Sequence, residues 1–69
     1  MSWLVKRSFT LAGHRTSVAL ENEFWQVLEQ AAAERGYSLS TLVGVVDRDR
    51  STDRPLASLL RIYALQALR

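Results

Sequence analysis

His14-Arg15-Thr16-Ser17-Val18-Ala19-Leu20 is the stretch whose reading decides the fold. Thr16, Val18 and Leu20 alternate with Arg15, Ser17 and Ala19, the period of two that marks a half-buried strand. Glu21 onward reads as helix, so this is the one strong strand signal in the chain. A lone strand leaves backbone donors and acceptors unpaired on both edges. Its own copy in a second chain is the simplest partner, and the pattern therefore predicts a homodimer.

Upstream, Lys6 to Leu11 alternates more weakly, with Arg7, Phe9 and Leu11 opposed to Lys6, Ser8 and Thr10. Ala12-Gly13 can turn this segment back onto the main strand, although Asn-Gly or Asp-Gly is the stronger hairpin signal. Residues 1–13 are thus either an extended basic arm or the first strand of a hairpin, and residues 14–69 form the main domain. Trp3 and Leu4 read as packing residues in either case.

Downstream, the first helix is expected from Asn22 to Arg35, capped by Glu21 or Asn22. Phe24, Val27, Leu28, Ala31 and Ala32 recur at helical spacing as its buried stripe, with Trp25 beside it. Gly36 follows as a left-handed cap. Ser38 is the expected N-cap of a second helix, with Leu39, Leu42, Val43 and Val46 turned inward. Gly44 weakens that helix by about 1 kcal/mol relative to Ala, which a close helix–helix approach would explain. The helix fades in Asp47-Arg48-Asp49-Arg50, and Ser51-Thr52-Asp53-Arg54-Pro55 is a break. From Leu56 to Leu68 apolar residues surround most of a third helix, which predicts burial on more than one face and again a partner subunit. No internal repeat is evident.

With 69 residues this is one small domain. Chains of this size bury only about 60% of their unfolded surface. Cysteine is absent and no Cys/His set suggests a metal, so oligomerisation is the expected supplement. No apolar run approaches the roughly 18 residues of a membrane span, and nothing resembles a cleavable signal, which sets a cytoplasmic expectation. Lys6, Arg7 and Arg15 lie in residues 1–20 with no acid, whereas six Arg face seven acids in the remainder. The positive field is concentrated at the N-terminal end, and two-fold symmetry would double it, which favours a polyanionic partner.

Nothing points to catalysis. His14, the sole histidine, adjoins a turn glycine, and the acids occupy helix ends and exposed helix positions. No phosphate loop, metal spacing or nucleophile motif is present. Neither an enzyme nor a cofactor or metal is expected.

Arg15-Thr16-Ser17-Val18-Ala19-Leu20-Glu21, the amphipathic Phe24 to Ala33 segment and Gly36-Tyr37-Ser38-Leu39-Ser40 together resemble the ribbon-helix-helix proteins, the Arc and MetJ type of repressor. The longer run from Lys6 through Val18, with Leu56 to Arg61, resembles a small uncharacterised branch of that superfamily. The resemblance implies a mainly α fold with one N-terminal ribbon strand, an extra C-terminal helix and an intertwined homodimer. Its core would hold Val18, Leu20, Phe24, Leu28, Leu42, Val43, Val46, Leu60 and Tyr63. It further implies a repressor that lays its β-ribbon in the major groove of double-stranded DNA. Arg15, Ser17 and Ala19 would then meet bases, while Ser38, Leu39 and Ser40, with Lys6 and Arg7, would meet phosphates. The rival function is a protein-interaction module without DNA affinity, either a dimerisation adaptor or an antitoxin-like binder.

One geometric conflict accompanies the hairpin alternative. A dimer of hairpins would present four strands about 4.8 Å apart, too many for a groove about 12 Å wide. Residues 1–11 would have to peel away before the ribbon could insert, so their deletion is expected to leave a dimer that binds at least as well.

Overall fold

The computed structural model describes residues 3–51 and 53–69, in the order β1 (Leu4–Leu11), β2 (His14–Glu21), α1 (Asn22–Glu34), α2 (Leu39–Arg48) and α3 (Leu56–Ala67). Thr52, within the expected break, lies outside the described residues. β1 and β2 pair antiparallel as a hairpin, in register from Leu4↔Glu21 to Leu11↔His14. The main strand is therefore not alone: its partner comes from the same chain, and the free-arm alternative does not occur.

The turn itself does not explain this outcome. Ala12 and Gly13 have φ of 51° and 83°, the left-handed pair of a tight hairpin turn, and only the glycine adopts it without strain. Burial supplies the compensation. Phe9 and Leu11 on β1 and Val18 and Leu20 on β2 are all buried against the helices. Covering a side chain of the size of Phe or Leu is worth about 1.5–3 kcal/mol, which exceeds the roughly 1–2 kcal/mol of a left-handed alanine.

The three helices lie on this one face of the hairpin, with α2 against β1 and α1 and α3 against β2. α1 turns its buried side further towards β1 than the apolar stripe predicts. Trp25 is fully buried, whereas Phe24 and Val27 are only half-buried. The indole explains the rotation: Trp25 Nε1 donates to the Val5 carbonyl at 2.7 Å, and the ring meets Phe9 at 5.8 Å between centroids. Leu28, Leu42, Val43 and Leu60 complete the buried centre within one chain, while Val46 and Tyr63 pack at its margin. The expected core residues are present, but most are covered without a second copy.

Local signals account for most boundaries. Ser38 caps α2, its hydroxyl accepting from Thr41 N at 3.1 Å. Glu21 occupies the N-cap of α1 without a side-chain capping bond. Gly36 takes φ of 80° after α1, the left-handed turn that Arg35-Gly36 predicts. Pro55 is the N-cap of α3, which buries Leu56, Leu60 and Ala64 and leaves Leu65 and Leu68 exposed.

Gly44 departs from expectation. A Cβ built there meets only Leu11 Cδ2, at 3.9 Å, so no close helix–helix approach requires glycine. Gly44→Ala should raise stability by up to about 1 kcal/mol, and Ala12→Asn by a similar amount through relief of turn strain. Denaturant unfolding of both variants measures this, and destabilisation by either contradicts the corresponding assignment.

Candidate nucleic-acid interface

Opposite the helices, the hairpin presents a second face. Lys6, Ser8 and Thr10 of β1 stand across from Ala19, Ser17 and Arg15 of β2. All are exposed except the half-exposed Ala19, and none is acidic. Two cross-strand bonds order the polar atoms. The Ser8 and Ser17 hydroxyls lie 3.0 Å apart, and Arg15 Nη1 donates to Thr10 Oγ1 at 3.2 Å. The second bond draws the Arg15 guanidinium across the ribbon to its register partner on β1.

Arg15, Ser17 and Ala19 thus share the expected outward side, joined by Lys6. Arg7 does not. It belongs to the inward set, where its Nη2 contacts Glu29 Oε1 at 3.1 Å and its guanidinium sits 5.2 Å from the Trp25 ring centre. Its charge and its stem fasten β1 to α1, on the side of the hairpin away from Lys6 and Arg15. Ser8 and Thr10 are the outward residues that a reading confined to the main strand passes over. The alternation of Lys6 to Leu11 is the signal that locates them.

The first turn of α2 lies close to the hairpin tip. A groove of about 460 Å³ separates them, bordered by Thr10 and Ala12 on one side and Ser40, Thr41 and Arg48 on the other. Ser38 and Ser40 are exposed and Leu39 is half-buried. The leading N–H groups of a helix have no partner within it, and at this end of α2 the Ser38 hydroxyl takes up that of Thr41 while also donating to Thr41 Oγ1 at 3.0 Å.

A sequence profile described as a ribbon-helix-helix domain matches residues 4–68, both strands and all three helices. The chain belongs to the ribbon-helix-helix domain family. Ribbon-helix-helix domains generally bind DNA and regulate transcription, and they typically dimerise. A solved structure described as an uncharacterized protein from Bordetella pertussis Tohama I is similar, with a TM-score of 0.77 and 34% identity over 94% of this chain and 55% of that one. The chain spans about half the length of that protein. No curated protein matches it. Among the described residues there is no group of three or more His, Cys, Asp or Glu side chains able to hold a metal, and no helix is long and apolar enough to cross a membrane.

The ribbon of this ribbon-helix-helix chain is anchored at its open end by one ion pair. Arg61 of α3 donates through Nε and Nη2 to Glu21 Oε1 at 3.0 and 2.9 Å, and its guanidinium lies 5.7 Å from the Phe24 ring centre. Hydrogen bonding from the Glu21 backbone, followed by that from Arg61, holds the carboxyl below its ordinary value of 4.5. A lowered folded pKa gives stability that is complete above the ordinary value and lost as pH falls through the lowered one. Glu21→Gln should therefore be less stable than wild type at neutral pH, with the difference closing in acid. Thermal melts across that range test this, and a pH-independent difference would contradict it.

Proposed function

We propose that the chain is a sequence-specific DNA-binding repressor that lays the β1–β2 hairpin in the major groove. The observation that carries this reading is a complete two-stranded ribbon with one polar, basic face clear of the core. Two strands about 4.8 Å apart fit a groove about 12 Å wide. Because the ribbon is complete in one chain, the four-strand conflict disappears when each hairpin occupies its own stretch of groove.

In this arrangement Arg15 pairs with guanine, Ser17 bonds a donor or acceptor, and Ala19 touches a thymine methyl. The Ser38–Ser40 turn of α2 holds a backbone phosphate. Repression follows from occupancy of the site, in the cytoplasm. Homodimerisation, typical of the family, belongs to the same proposal. Its support is the apolar surface left on α3, where Leu65 and Leu68 are 58% and 67% exposed. Such a dimer joins two already folded chains and is not a condition of folding.

The structure also changes the expectation for the N-terminal segment. Deleting residues 1–11 removes Phe9 and Leu11 from the core and uncovers Trp25, so the truncated chain should unfold, which circular dichroism would show.

At a selected operator, Arg15→Ala should cost about 1–3 kcal/mol while leaving the circular dichroism spectrum unchanged. Equal affinities of the two proteins would contradict readout by the ribbon. Absence of affinity for any duplex at low salt would contradict DNA binding altogether and favour the interaction-module reading. Sedimentation of the free protein should give about twice the 7.8 kDa chain mass, and a monomer on DNA would remove the dimer from the proposal.

A further inference from the structure

The hairpin register contains a relation that runs against the expectation of no internal repeat. Ser8 pairs with Ser17, nine positions on. An axis normal to the sheet through this rung exchanges the two strands and carries each β1 residue onto the β2 residue at the same offset. Outward, Lys6 maps onto Arg15, Ser8 onto Ser17 and Thr10 onto Ala19; inward, Phe9 maps onto Val18 and Leu11 onto Leu20. Val5 onto His14, Arg7 onto Thr16 and Thr10 onto Ala19 do not match in kind, and Arg7 is the residue committed to Glu29 and Trp25. One chain thus builds a ribbon with an approximate two-fold axis, such as two identical strands would give.

We propose that Lys6 is a base-contacting residue, the counterpart of Arg15 across this axis, and that a single ribbon reads a quasi-palindromic DNA site. The inference rests on the DNA-binding reading above and assigns to β1 an equal share in recognition. Lys6 and Arg15 stand two residues from the central rung on opposite sides. At about 3.3 Å per residue they are separated by about 13 Å along the ribbon, roughly four base-pair steps at about 3.4 Å each. Both side chains donate to the O6 and N7 atoms of guanine, and the approximate axis directs them to opposite DNA strands.

The symmetry is imperfect in a way that sets the strength of each half. Arg15 is steadied by Thr10 Oγ1, whereas Lys6 faces Ala19, which has no polar side-chain atom to steady it. An arginine fork also fits guanine in two bonds where an ammonium acts as a point donor. The half-site under Arg15 is accordingly the stricter one.

Selection of sites from a randomised duplex pool by the full chain tests this. The expected motif has two related halves with guanines about four base pairs apart. Lys6→Ala should abolish preference in the weaker half by at least about fivefold, the low end for one base contact, and leave the other half intact. Arg15→Ala should do the reverse, and Lys6→Arg should make the motif more symmetrical. Both positions are exposed, and circular dichroism verifies that the variants fold. If Lys6→Ala weakens all sequences equally and lowers the salt slope by about 1, Lys6 is a phosphate contact and the inference is overturned while DNA binding stands. If the wild-type chain enriches no sequence, both this inference and the proposed function fall.

Discussion

Trp25 is the side chain that β1 requires. A short amphipathic strand with a weak turn signal gains little from pairing alone, since an isolated hairpin is marginal in water. The indole changes this by packing on Phe9 and by donating to the Val5 carbonyl, while the Arg7 guanidinium also lies over its ring. These contacts make β1 part of the core, and a strand fixed to the core leaves β2 no unpaired edge on that side. Both the closed sheet and the polar face behind it depend on this contact.

The division between the two faces has an electrostatic consequence. Inward cations are neutralised locally, Arg7 by Glu29 and Arg61 by Glu21. Lys6 and Arg15 remain on the outer face, where Arg15 donates to the neutral Thr10 hydroxyl. A chain of net charge +2 can therefore present a locally basic ribbon. The positive field that composition places loosely at the N-terminal end is confined by the fold to one surface.

What the sequence discloses follows the strength of its local signals. Ser38, Gly36 and the alternation of Thr16, Val18 and Leu20 each act through nearby backbone, and each is found where the pattern places it. The hairpin was harder to read because its cause is tertiary: Ala12-Gly13 argues weakly for a turn, and Trp25 sits outside the regular stripe. The same distance hid the role of Arg7, whose partner Glu29 is 22 residues away. The correspondence of Lys6 with Arg15 involves similar but not identical side chains and emerges only with the register. Arg15, Ser17 and Ala19 were legible as one face; Ser8 and Thr10, their partners across the ribbon, required the fold.

Closure of the ribbon within one chain is the central claim, and it holds whether or not two chains associate. A mixed sample of isotopically labelled and unlabelled protein separates contacts within a chain from those between chains in filtered NMR spectra. The account predicts that cross-strand contacts at the Ser8–Ser17 and Phe9–Thr16 rungs arise within a single labelled chain. Their appearance only between labelled and unlabelled chains would show that β1 pairs with the β2 of a second copy, and would contradict it.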